Sequence, residues 1–344
     1  MVEKELQKKV KRCIKDIRKP EINDIFKERY YIGPEDLKVT NYVRSRPLAI
    51  FNSGAVEKGG KLYIFPRIIF DYYKYTSSVG VFSMDLKDVM KGNIRKPLET
   101  EIILWPQELW EFLGCEDPRV CMVDDDLYIL YTGKGYHYDE AGQEKRRDVL
   151  GFAELDSSFK LKRKGYFKIK SDEREFIPIS NKDSSFIKVD GNKATMLTRP
   201  EIQGARACWR TDVDLQTLTF TAESMEPVLT PEEWEQKVGW STNTVKISED
   251  EYLVGWHGVV KENWSYKDGL AIVNGKGELL AVSDYLLAPN GLKEEYGDRE
   301  LVIFGDGLVK HEDHLIWIGG VSDYCVGIFI ADMKDVMNNL RRVK

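Results

Sequence analysis

The chain has 344 residues, 42% of them hydrophobic and 31% charged, with a net charge of −6 and five cysteines. That composition supplies a packed core and excludes a disordered chain. With no basic block it also argues against a nucleic-acid partner, whose phosphates need a clustered positive surface. No apolar run approaches the roughly 20 residues that span a bilayer, and the charged start MVEKELQKKVKRC has no apolar signal core, so a soluble, cytoplasmic protein with no membrane partner is expected. Cys13, Cys115, Cys121, Cys208 and Cys325 are scattered, odd in number and without a C-x-x-C pair. They point to neither a disulfide frame nor a metal site.

The first expected element is a helix over 3–17, because Leu6, Val10, Cys13, Ile14 and Ile17 fall on one helical face. It would lie on the side of the main fold or offer a homo-oligomer contact. Residues 1–40 are taken as a helical extension and 41–344 as a single further domain.

From residue 51 one pattern recurs five times: an apolar strand, a turn of Gly, Asp, Asn, Glu or Lys, and a second apolar strand. The copies are FNSGAVEKGGKLYIFPR (51–67), DPRVCMVDDDLYILYTG (117–133), KDSSFIKVDGNKATMLTRP (182–200), STNTVKISEDEYLVGWHG (241–258) and LVIFGDGLVKHEDHLIWIGG (301–320). Their second strands begin near Leu62, Leu127, Ala194, Tyr252 and Leu315, in steps of 65, 67, 58 and 63 residues. A third strand follows each hairpin, and the first and last copies end almost alike, as MDLKDVM (84–90) and ADMKDVM (331–337). Five such units predict an all-β fold, a five-bladed β-propeller.

The head of a first strand and the tail of a second lie at one end of an antiparallel hairpin. The heads carry Asn52, then Glu116, Asp117 and Arg119, then Lys182 and Asp183, then Ser241 and Asn243, and Asp306; the tails carry Arg67, Thr132, Arg199 and His257. These groups are expected to converge at one end of a central channel. Carboxylates at Glu116, Asp117 and Asp183 suit sugar hydroxyls and proton transfer. Arg67, Arg119, Lys182 and Arg199, with His257, suit an oxyanion. Trp209, Trp240, Trp256, Trp264 and Tyr136 are candidates for stacking on sugar rings.

At these residues the chain resembles glycoside hydrolase family 130, the inverting β-mannoside phosphorylases and their β-mannosidase relatives. The resemblance rests on FNSGAV (51–56), GCEDPRV (114–120), KDSSFI (182–187), TRP (198–200), VGWSTNT (238–244), WHGVV (256–260), YKDG (266–269), EEYG with VIFGDGLV (294–309) and GGVSDYCVGI (319–328). It implies the same propeller and assigns roles. Asp117 matches the catalytic acid, whose proton reaches the glycosidic oxygen through the 3-hydroxyl of the mannosyl unit while phosphate attacks the anomeric carbon from the opposite face. Lys182, Arg199, His257, Tyr266 and Arg147 match the phosphate contacts. Asn52, Arg67 and Asp323 match the mannosyl site, with Glu116, Arg119 and Asp183 beside them.

The expected reaction is phosphorolysis of an oligosaccharide, a β-1,2- or β-1,4-linked mannoside, to α-mannose 1-phosphate. Inorganic phosphate is the co-substrate, and no cofactor or metal is expected. An inverting hydrolase and a non-catalytic sugar-binding propeller are the alternatives. The chain departs from the family at FNSGA (for FNPGA) and YIFPRI (for LLYRA), which leaves the acceptor sugar open.

Overall fold

The computed structural model describes residues 2–138, 141–171, 174–202, 205 and 207–343. Among these residues the chain is mostly β-strand, arranged in five antiparallel units. The first runs Ala49–Lys58, Lys61–Ile69, Ser77–Asp85 and Leu98–Leu104; the second Gly114–Val123, Asp126–Tyr138, Glu144–Leu155 and Leu161–Tyr166. A parallel pairing of Ser77 with Gly114 joins these two into one sheet. The third unit is Asn181–Asp190, Lys193–Pro200 and Cys208–Asp214, with Thr219–Thr221 and Glu226–Leu229 on its outer strand. In the fourth, the first strand is split into Glu235–Trp240 and Val245–Lys246, both paired to Tyr252–Val260, followed by Tyr266–Val273 and Leu279–Val282.

The fifth unit is Ile303–His311, His314–Val321 and Cys325–Asp332, and its fourth strand is Glu28–Ile32 from the other end of the chain. Residues 28–32 thus pair with 326–330 inside the last sheet, although the sequence reading placed them in the extension. The N-terminal helix spans Val2–Lys11 and stops short of the expected residue 17. The chain turns after it, through Asp16 at φ 59°, and delivers Arg18 to Glu235, 2.8 Å away and buried under the fourth unit. The helix lays Leu6 into the core between the second and third units.

Five apolar cores lie between successive units. Val56, Phe65 and Val79 meet Cys115, Val120 and Ile129. Phe152 meets Phe186 and Met196; Leu197 and Cys208 meet Val254 and Trp256; Leu253 and Ile272 meet Ile303 and Phe329. Ile316 and Ile328 return to Ile50 and Ile64 of the first unit. Each sheet is therefore covered on both faces, which is why the strands read as near-continuous apolar runs rather than alternating ones. The first strands also touch one another in the same cyclic order. A Cβ on Gly54 would stand 2.4 Å from the Pro118 carbonyl oxygen, so the first and second units approach as closely as they do only with glycine there.

Candidate active site

All five first strands are irregular: the fourth shifts register between Glu235 and Lys237 and is interrupted before Val245, and the other four shift near the head. The pairing register shifts between Phe51 and Gly54, Glu116 and Arg119, Lys182 and Ser185, and Gly305 and Gly307. In the first three, the residue in the bulge adopts a left-handed conformation: Asn52 at φ 43°, Asp117 at 52° and Asp183 at 53°. Asn and Asp tolerate this region better than other side chains with a Cβ. A bulge also re-aims the side chain it carries. Backbone and chemistry therefore ask for the same residue type at one place in each of these three units.

These side chains form one buried network. Asp117 Oδ1 accepts from Asn52 Nδ2 at 2.9 Å and Arg67 Nη1 at 3.2 Å. Arg67 spans both carboxylates, donating from Nη2 to Glu116 Oε1 at 2.8 Å and from Nε to Ser77 Oγ at 3.1 Å. Its guanidinium lies over the Phe51 ring, 4.8 Å from the centroid. Arg119 donates to the carbonyl oxygens of Ser241 and Asp117 at 2.7 and 2.9 Å. It also reaches Asp183 Oδ1 at 3.3 Å and Asp306 Oδ1 at 2.8 Å. Asp183 Oδ2 accepts from Arg199 Nε at 2.6 Å. Lys182 pairs with Asp148 at 2.8 Å, and its backbone partner across the hairpin is Arg199.

The carboxyls do not share one protonation state. Burial pushes Asp117 up, but Arg67 and Arg119, with the Asn52 amide and Lys182, outweigh it and hold the group below its usual value. Asp183 is also buried, and Arg199, with Arg119 and Lys237, holds it far lower. Asp306 goes the other way: burial, with Asp117 and Asp183 nearby, outweighs Arg119 and holds the proton on. Asp323, at φ 51°, is pushed up to about 6, chiefly by burial and against the pull of Arg67 and Arg299.

Its folded-state value therefore lies above the unfolded one. The stability it contributes is present below the unfolded value near pH 3.8 and is lost as pH rises through about 6. Asp323→Asn is accordingly expected to raise the melting temperature at pH 7 relative to wild type and to leave it nearly unchanged at pH 4, measured by thermal unfolding across that range.

Beside this network lies a cavity of about 550 Å³ whose wall includes Arg146, Arg147, Lys182, Arg199 and Lys237. Five cations against the carboxylates of Asp148 and Glu201 leave this wall net positive, which suits an anion. Lys182, Arg199 and Arg147, named from the sequence, line this cavity together with Arg146. His257 and Tyr266 are placed differently. They stack on each other at 5.6 Å, and His257 Nε2 stands 3.9 Å from Asp183 Oδ2, behind Gly239. A Cβ on Gly239 would meet His257 Cε1 at 2.3 Å and Asp183 Oδ2 at 2.6 Å, so only glycine lets the two approach. The Tyr266 hydroxyl accepts from Arg299 Nη2 at 3.0 Å.

Several expectations are corrected. Trp209, Trp240 and Trp256 are fully buried and cannot stack on a ligand. Sheets covered on both faces turn these side chains into the cores, where the indole N–H groups of Trp240 and Trp256 find carbonyl oxygens at 3.2 Å. Trp264 is exposed and outside the cavity wall. Asn243 serves the scaffold, exchanging hydrogen bonds with the Leu308 backbone. Sequence reasoning missed Lys237, although it directly precedes VGWSTNT, and missed Asp148 and Lys134, the partners of Lys182 and Glu116.

The model of glycoside hydrolase family 130, described as beta-1,4-mannooligosaccharide phosphorylase, matches residues 16–342. A beta-1,2-mannobiose phosphorylase of Thermoanaerobacter sp. (strain X514) is 26% identical over 307 residues, 84% of this chain and 91% of that protein. A 1,2-beta-oligomannan phosphorylase of the same strain is 27% identical over 304 residues, with the same coverage. Among solved structures, a beta-1,2-mannobiose phosphorylase from Listeria innocua in complex with beta-1,2-mannobiose superposes with a TM-score of 0.67 at 16% identity, covering 91% of this chain and 99% of that one. The likeness to that structure extends to the fold.

Proposed function

The chain belongs to glycoside hydrolase family 130 and is a glycoside phosphorylase, and from that premise we propose that it performs inverting phosphorolysis of a β-mannoside, releasing α-mannose 1-phosphate. We read the five units as blades of a five-bladed propeller whose catalytic domain begins at Glu28. The five inter-unit cores and the cyclic contacts of the first strands support that reading.

The observation that carries the function is the pairing of a buried carboxyl network with an adjoining cationic cavity. Phosphate in that cavity would be held by Lys182 and Arg199, with Arg147 and Lys237 closing the wall. The mannosyl unit would sit over Asn52, Asp117 and Arg67. The C1–oxygen bond of the glycoside breaks as a phosphate oxygen bonds C1 from the opposite face, and a proton from Asp117 goes to the departing oxygen through the sugar's 3-hydroxyl. In the empty site Asp117 favours the carboxylate. A phosphate dianion beside Lys182 offsets the cationic field and shifts Asp117 toward the acid the reaction needs.

Hydrolysis would need a carboxylate free to activate water. Glu116 and Asp183 are both tied to arginine, which favours phosphate as the nucleophile. The test is to incubate the protein with β-1,2- and β-1,4-mannobiose, with and without phosphate. Mannose 1-phosphate formed only with phosphate is the expected result, and the preferred disaccharide assigns the linkage. Free mannose released in phosphate-free buffer would overturn the proposal in favour of a hydrolase.

A further inference from the structure

Asp268 sits on Tyr266–Val273, directly across the ladder from His257, and is fully buried. Its Oδ1 is 3.3 Å from Ser241 Oγ, and the same hydroxyl is 3.0 Å from His257 Nδ1. Among the described residues no ion pair involves Asp268, and its Oδ2 has no hydrogen-bond partner. A serine hydroxyl has one hydrogen, so it can donate to only one of its two neighbours.

With a neutral ring and every buried hydrogen of these three groups given an acceptor, two arrangements remain, because Asp268 Oδ2 has no partner to take one. If Asp268 is a carboxylate, Ser241 donates to it and accepts from His257 Nδ1–H, so a lone pair on Nε2 faces the ionised Asp183. If Asp268 keeps its proton, it donates to Ser241, Ser241 donates to Nδ1, and Nε2 carries the hydrogen. The second arrangement leaves no buried unpaired charge. It also turns an N–H, rather than a lone pair, toward Asp183 Oδ2 at 3.9 Å. The electrostatics agree: burial holds the proton on Asp268, while burial outweighs the attraction of Asp183 and keeps the His257 ring neutral.

We propose that Asp268 is a neutral positioning residue which, through Ser241, fixes His257 as the Nε2–H tautomer. His257 then turns a neutral N–H, rather than a lone pair, toward the Asp183 carboxylate 3.9 Å away, and its effect on an anion in the cavity runs through Asp183 and the Arg199 bonded to it. In this role the relay differs from a charged carboxylate–serine–histidine chain, because no member gains or loses a proton when the anion arrives. Lys237, Arg199, Arg119 and Asp183 are the charged groups facing the ring. The link from His257 to anion binding rests on the phosphorolytic reading; the tautomer does not.

The experiment reads both. Protein with ¹⁵N-labelled histidine holds four such residues, and the His257 signals are identified by their loss in H257Q. Long-range ¹H–¹⁵N correlation between pH 6 and 8 is expected to show the Nε2–H tautomer throughout. In Asp268→Asn the amide can still donate to Ser241, so the tautomer is expected to persist. In Asp268→Leu the donor is gone, the two tautomers are expected to mix, and binding of inorganic phosphate measured by calorimetry should weaken about tenfold. An Nδ1–H tautomer or an imidazolium in the wild type would overturn the proposal, as would loss of the tautomer in D268N. If D268L does not fold, the wild-type and D268N spectra still decide. A protein that shows the tautomer but makes no mannose 1-phosphate would instead count against the phosphorolytic reading alone.

Discussion

Asp117→Asn is expected to lower kcat for phosphorolysis of mannobiose by about 10³- to 10⁴-fold, the upper part of the range for removing a general acid. The substitution isolates the proton. Asparagine is as tolerant as aspartate of the left-handed backbone that residue 117 adopts at φ 52°, whereas alanine would add strain to the loss of the acid. The amide oxygen can still accept from Asn52 Nδ2 and Arg67 Nη1, which now bond Asp117 Oδ1. The active-site geometry should therefore survive while the transferable proton is lost. A substrate whose leaving group needs no proton makes the control: with an aryl β-mannoside carrying a nitrophenolate, the deficit should shrink by at least about tenfold. Mannose 1-phosphate release is the measurement. A kcat within tenfold of wild type on mannobiose would remove Asp117 from the role of acid.

Arg119→Met is expected to destabilise the fold by about 3–5 kcal/mol, the usual cost of removing one partner from a buried ionic cluster. Arg119 is buried, and its guanidinium serves Asp183, Asp306 and two main-chain carbonyls contributed by the second and fourth units. Methionine fills comparable space and stacks acceptably near Phe304, whose ring lies 5.2 Å from the guanidinium carbon. The loss is thus one of charge and hydrogen bonds rather than volume. Without the cation, Asp183 and Asp306 both hold protons more tightly than in the wild-type fold, although Arg199 still holds Asp183 down. The deficit should therefore be no larger at pH 5 than at pH 8. Urea unfolding at the two pH values reads it. A loss under about 1 kcal/mol at pH 8, below the range for an uncompensated buried charge, would show that the carboxyls do not depend on Arg119.

Much of the site could be read from residue order because hairpins convert spacing into proximity. Residues at the head of one strand and the tail of the next are neighbours by construction. The ladder pairs Lys182 with Arg199, Glu116 with Thr132 and Phe51 with Arg67. The same logic misjudged the tryptophans. An apolar run tells that a strand is buried, but not whether a given side chain on it meets a cavity or another sheet. Likewise, a helical stripe over 3–17 records where apolar residues lie. It does not record that Arg18 must leave the helix to meet Glu235.

Turns and apolar strand runs are written in short windows, because they follow from local sterics and from burial of each sheet on both faces. The all-β class, the five repeating hairpins and the clustering of charge at their heads were therefore open to inspection along the chain. Three other features depended on the folded molecule. The pairing of Glu28–Ile32 with residues 326–330 joins segments with no mutual signal in the sequence. The cationic cavity draws on two units and the start of a third. The protonation of Asp117, Asp183, Asp268 and Asp306 differs among four residues of one type because each balances its own burial against a different set of neighbours. Such balances are sums over charges far apart in the chain, and they acquire a value only when folding sets the distances.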